Sequence, residues 1–148
     1  MAKKLFADHP GLTSEIMREL LDVDIPPGLP ETVLAPLAAD DCGNLTDGEQ
    51  PDTPAPVVLV GHPGNPLRAI VLQFQDGKDD AIRQRWPRGV MAVWLHHGCP
   101  VDLLVICPDD ETARWHAEPI DTTMPGYVCH PRAISATRLQ ALLPMNGA

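Results

Sequence analysis

Apolar residues recur along the chain in two rhythms, and the rhythms mark its elements. Leu12, Ile16, Met17, Leu20 and Leu21 fall at helical spacing and predict an amphipathic helix from about Thr13 to Leu21. His9-Pro10-Gly11 precedes it, Thr13 or Ser14 stands where a side-chain cap belongs, and Pro26-Pro27-Gly28 with Pro30 stops any continuation. Val57 to Val60 is a short apolar strand, and Gly61 to Pro66 turns the chain. Leu67 to Gln75 alternates: Ile70, Leu72 and Phe74 point one way, Val71, Gln73 and Gln75 the other. The short turn makes the two strands antiparallel.

Asp79 or Asp80 can cap a second helix running to about His96, kinked or restarted at Pro87. Ile82, Trp86, Val90, Val93, Trp94 and His97 recur at threes and fours and define its buried face. Arg83, Arg85 and Arg88 lie off that face and read as a solvated set pairing with Asp76, Asp79 and Asp80. Val101 to Cys107 is almost wholly apolar, which predicts a strand covered on both sides. Pro108-Asp109-Asp110 opens a third helix to about Ala117. Tyr127 to His130 reads as the final strand, and Thr137 to Leu143 as a short closing helix. The expected fold is one α/β domain with a mixed sheet of about four strands flanked by helices. The strand–helix–strand passage implies a parallel pair.

Residues 35–56 break the pattern. Asp40-Asp41-Cys42-Gly43-Asn44 and Asp47-Gly48-Glu49-Gln50-Pro51 have loop composition, and Pro51, Pro54 and Pro56 exclude a helix or a sheet interior. Many of the 17 prolines crowd into residues 26–66, while a hydrophobic share of 44% is enough for a core.

Charge narrows the partners. The net charge of −9 divides into −8 over residues 1–56, +2 over 57–100 and −3 over 101–148. An acidic chain is a poor non-specific ligand for nucleic acid, and it is repelled by anionic membrane surfaces. A protein partner or a second copy is the favoured expectation, and nucleic acid the less favoured one. The opening apolar run, Leu5-Phe6-Ala7, is too short for a signal peptide, and the four cysteines form no close pair, so a reduced cytoplasm is expected.

Several motifs carry little chemistry. His96-His97 with Cys99 lacks a second ligand pair for zinc and reads as a helix C-terminus. Cys107 and Cys129 sit in apolar strands, where thiols are inert. Ser14 and Ser135 lack a nucleophile-elbow context, and Gly61 to Pro66 lacks the Lys-Ser/Thr of a phosphate loop.

One ordered set does carry a resemblance. It runs Val71-Leu72-Gln73-Phe74-Gln75, Asp79, Arg83, Trp86-Pro87, Cys99-Pro100, Leu103 to Asp109, Ala113-Arg114-Trp115 and Glu118-Pro119-Ile120. The set is similar to an uncharacterised bacterial branch of the PD-(D/E)XK, restriction-endonuclease-like proteins. The first helix and its flanks, from His9-Pro10 to Pro26-Pro27, resemble that branch too. The resemblance implies an order αββαβαβ and a site on the central strand. There an Asp and a Glu bind Mg²⁺, and a residue two positions past the Glu orients water. In this chain Gln73 stands at the Glu position and Pro56 at the Asp position, with Asp52 four residues upstream. Gln75 and Glu15 match the family's remaining positions. The resemblance therefore implies a vestigial site of Gln73, Gln75, Asp52 and Glu15. If metal is held at all, Asp52 is its ligand.

Three functions follow as expectations. The first is a nuclease-fold protein without nuclease activity, acting as a binding or regulatory module. The second is a divergent Mg²⁺-dependent DNA endonuclease. The third is a structural subunit of an oligomer.

Overall fold

The computed structural model describes residues 11–34, 57–62 and 64–142. The element order is α1 (Leu12–Glu19), β1 (Glu31–Leu34), β2 (Val57–His62), β3 (Asn65–Phe74), α2 (Asp80–Arg83), α3 (Trp86–His97), β4 (Val101–Cys107), α4 (Asp110–His116), β5 (Ile120–Asp121), β6 (Val128–Cys129), β7 (Arg132–Ser135) and α5 (Ala136–Leu142). Five strands form one mixed sheet in the order β1-β2-β3-β4-β7, and β5 and β6 pair separately. β1–β2 and β2–β3 are antiparallel; β3–β4 and β4–β7 are parallel.

The hairpin and the parallel pair match the sequence reading, and the sheet has five strands where about four were expected. β1 is four residues long, directly after Pro30, and half-exposed, so its alternation is too brief to register. Tyr127 to His130 does hold a strand, β6, but it is neither the last nor part of the main sheet. Val128 and Cys129 pair with Ile120 and Asp121 in the small ribbon, and the fifth strand begins after Pro131.

Strand alternation divides the core. Val58, Val60, Ile70, Leu72, Leu104, Ile106 and Ile134 face α1 and α5 with Leu12, Ile16, Met17 and Leu139. Val57, Leu59, Ala69, Val71, Leu103, Val105 and Cys107 face α3 and α4 with Trp86, Val93 and Ala113. Both parallel connections step the same way along the sheet, so crossovers of one hand put α3 and α4 on one face. Gly61, at a register shift in the β2–β3 hairpin, has φ +101°, and a Cβ there would lie 3.1 Å from the Leu67 nitrogen.

A charged tie crosses the parallel half. Asp102 on β4 accepts from Arg68 Nη1 of β3 at 2.5 Å and from Arg132 Nε of β7 at 3.3 Å. One carboxylate thus clamps three neighbouring strands.

The helix caps differ between the layers. Asp79 caps α2 through the Ile82 N–H at 3.1 Å, and Asp109 caps α4 through the Thr112 N–H at 2.8 Å. Neither Thr13 nor Ser14 caps α1. Its N-cap is Gly11, and the Glu31 carboxylate of β1 accepts from the N–H groups of Gly11 (3.2 Å) and Ser14 (2.7 Å).

Candidate functional site

Gln73 lies near the end of β3, opposite Val105 of β4, and the Gln75 N–H bonds the Ile106 carbonyl at 2.9 Å. Both glutamines are half-buried. By alternation Gln73 shares the side of Ala69 and Val71, towards α3 and α4. Glu15 stands on α1, whose apolar side packs on the other face. The described residues therefore place Gln73 and Glu15 in different layers. Asp52 and Pro56 lie outside the described residues. Among those described, no group of three or more His, Cys, Asp or Glu could hold a metal ion. Gln73 alone offers one neutral amide oxygen, which does not fit Mg²⁺, a cation that binds through carboxylates and retained waters.

The segment after Gln75 is held from α4. His116, fully buried, bonds the Gly77 carbonyl through Nε2 at 2.8 Å. A carbonyl only accepts, so Nε2 donates here, and Nδ1 is buried without a partner. Arg83 is buried rather than solvated, contrary to its sequence reading. Its guanidinium lies 5.2 Å from the centre of the Trp115 ring and Nη2 donates to the Glu118 carbonyl. The reason is a broken helical phase: α2 is a single turn and the chain restarts at Trp86, so Arg83 is not carried round by α3.

The three thiols among the described residues are unsuited to nucleophilic work. Burial, reinforced by the Asp109 carboxylate, pushes Cys107 up to about 12, and burial also raises Cys99 and Cys129. Tyr127, its pKa likewise raised by burial to about 12, donates to the Pro87 carbonyl at 2.8 Å and ties the ribbon to α3. Ser135 Oγ donates to Asp110 at 2.5 Å and accepts the Arg138 N–H at 3.2 Å, which makes it a helix cap.

The outer side of α3 is the exposed feature. Trp86, Pro87, Ala92 and Val93 are buried. Trp94, expected on the buried face, is 53% exposed, and Leu95 is 71% exposed. Met91 stands three residues before Trp94, and Arg88 seven before Leu95, on the same side. α3 carries no carboxylate, and it ends in His96 and His97, whose rings meet edge to face at 4.8 Å. Burial, and then the neighbouring His96, hold the His97 pKa below its usual 6.5. Sequence periodicity missed this surface because Trp94 sits on the flank between the two sides of the helix.

No family model, curated protein or solved structure matches this chain. No described helix is long and apolar enough to cross a membrane.

Proposed function

We propose that this chain is a non-catalytic binding module for another protein, working through the outer side of α3 on a nuclease-like α/β frame whose metal chemistry has been lost. The observation that carries the reading is the exposed Trp94–Leu95 pair. A tryptophan presents about 150–250 Å² of surface. Covering its exposed half yields roughly 2–3 kcal/mol at ~25 cal/mol per Å². Aromatic anchors of this kind dominate protein interfaces.

Charge selects the partner. Arg88 and His96 are exposed beside the pair, and α3 has no acidic residue, within a chain of net charge −9. The matching occupant is a segment of another protein with an apolar anchor rimmed by Asp or Glu. The amide of Gln73, standing where the resembled nucleases need a carboxylate, supports the loss of cleavage.

Selection of displayed peptides against the protein, counter-selected on Trp94→Ser/Leu95→Ser, tests the surface. The expected ligands share an apolar residue flanked by acids and change the Trp94 fluorescence. Ligands that bind both proteins equally would exclude α3 as the interface. Light scattering that finds a dimer abolished by the same variant would make the occupant a second copy. Mg²⁺-dependent nicking of plasmid that Gln73→Ala removes would restore the endonuclease reading.

A further inference from the structure

The rim of the α3 surface holds a titratable pair. His96 is exposed beside Trp94 and Leu95, and His97, half-buried, follows it. Their rings meet edge to face with centres 4.8 Å apart. The pair closes α3: Gly98, with φ +69°, donates its N–H to the Trp94 carbonyl at 2.7 Å. The carbonyl end of a helix favours a cation, which stabilises one proton on the pair. A second proton is disfavoured, because like charges at this distance repel and burial opposes charge on His97.

The elements packed on α3, which are β3, β4, β6 and α2, leave that proton unanswered. Arg68 of β3 and Asp102 of β4 bond each other on the opposite face of the sheet. Arg83 and Asp80 of α2 lie 3.8 Å apart at the other end of the helix. Tyr127 and Cys129 of the ribbon are kept neutral by burial. On α3 itself the other charged residue is Arg88, eight positions before His96. No described carboxylate bonds either imidazole, and the charged neighbour acting on His97 is His96.

We propose that docking of an acid-rimmed segment on α3 is linked to the uptake of one proton by the His96–His97 pair, so that the surface binds more tightly as the medium is acidified through the near-neutral range. The link rests on the reading of α3 as a protein-binding surface. A partner carboxylate beside an imidazole favours the charged ring, so the occupied pair keeps its proton to higher pH than the empty one. Binding therefore strengthens as pH falls from about 8 to about 6. The partner's Asp and Glu side chains stay ionised down to about pH 5, so the attraction is not lost within that window. A neutral apolar segment has no carboxylate to offer and binds without the link.

Titration of the ¹⁵N-labelled full chain with the peptide acetyl-Glu-Glu-Leu-Phe-Glu-Glu-amide at about pH 6 and about pH 8 tests the link. Acetyl-Gln-Gln-Leu-Phe-Gln-Gln-amide is the neutral control. The expected result is saturable shifts of the Met91, Trp94 and Leu95 amides. Binding should be about two- to fivefold tighter at the lower pH for the acidic peptide and equal at both for the neutral one. By reciprocity, the acidic peptide should move the titration midpoint of the His96 and His97 ring signals to higher pH. His96→Gln/His97→Gln should keep the binding seen at pH 8 and abolish the gain at pH 6. Equal binding of the acidic peptide at both pH values, or a gain that survives in that double variant, would overturn the proton link and leave the α3 surface standing. Binding undiminished by Trp94→Ser/Leu95→Ser, or no saturable shift by either peptide up to about 10 mM, would overturn the α3 reading and this inference with it.

Discussion

The two faces of the sheet are filled in different ways. Towards α1 and α5 the buried layer is aliphatic, with Ile16, Met17, Ile70, Leu104 and Leu139 nearly inaccessible. Towards α3 and α4 the buried set includes Arg83, Thr112 and His116 beside Trp86, and three of its polar atoms (Arg83 Nε, Trp86 Nε1 and His116 Nδ1) lack partners. The first layer gains chiefly from close packing, although Thr13 and Ser14 of α1 are buried there too and the Ser14 hydroxyl lacks a partner. The second trades some of that gain for side chains that fix the loop after Gln75 and the end of α4. The aliphatic layer is therefore the stability reserve, and the polar layer is the one that sets positions.

The largest test of that contrast is Leu104→Ala. It leaves a void in the aliphatic layer and should cost about 2–5 kcal/mol in denaturant unfolding. Asp102→Asn should cost about 1.5–3 kcal/mol, because two arginines lose one charged acceptor. Glu31→Ala strips α1 of its distant cap and should cost about 0.5–2 kcal/mol. Arg83→Met should change stability by less than about 1 kcal/mol, since an incompletely paired buried cation is replaced by apolar volume. A loss as large as that of Leu104→Ala would erase the distinction between the layers.

The smallest effects are in pH. Both Asp109 and His97 have folded pKa values below their ordinary ones, Asp109 through the Thr112 N–H and then the Thr112 side chain. In each case the unfolded chain binds protons first on acidification, so stability rises with pH across the gap. The His97 contribution is complete above about pH 6.5 and fades below it. That of Asp109 is complete above about pH 3.8 and fades as pH falls further. Melting temperature against pH should show two shallow steps, with His97→Gln removing the upper and Asp109→Asn the lower.

The helices and the long strands were legible in the sequence because each states its rhythm over seven or more residues, as Leu12 to Leu21 and Val101 to Cys107 do. Asp79 was legible as one of two candidate caps, and Pro108-Asp109-Asp110 as the opening of a helix, because each cap acts three residues along its own chain. Glu31 was not, because its partners lie 17 and 20 residues away. β1 and β7, at four residues each, make their pattern visible only once neighbours pair with them. The candidate surface was the least legible. Trp94 fits a buried stripe by spacing and is 53% exposed. Gln73 follows the alternation of its strand, Gln75 lies one residue past the end of β3, and Glu15, joined to them by resemblance, stands on a helix of the other layer.

The mixed sheet also sets a timetable for assembly. β2 and β3 meet across a connection of two residues, whereas β3 reaches β4 only after a 26-residue excursion, so the hairpin closes its loop at far lower entropic cost. Substitutions in the hairpin, such as Ala69→Gly, should slow refolding. Substitutions in β7, such as Ile134→Val, should instead hasten unfolding and leave the refolding rate nearly unchanged. The strand that joins the two halves is thus the hinge in time as well as in space, and stopped-flow traces of those two variants would reveal it.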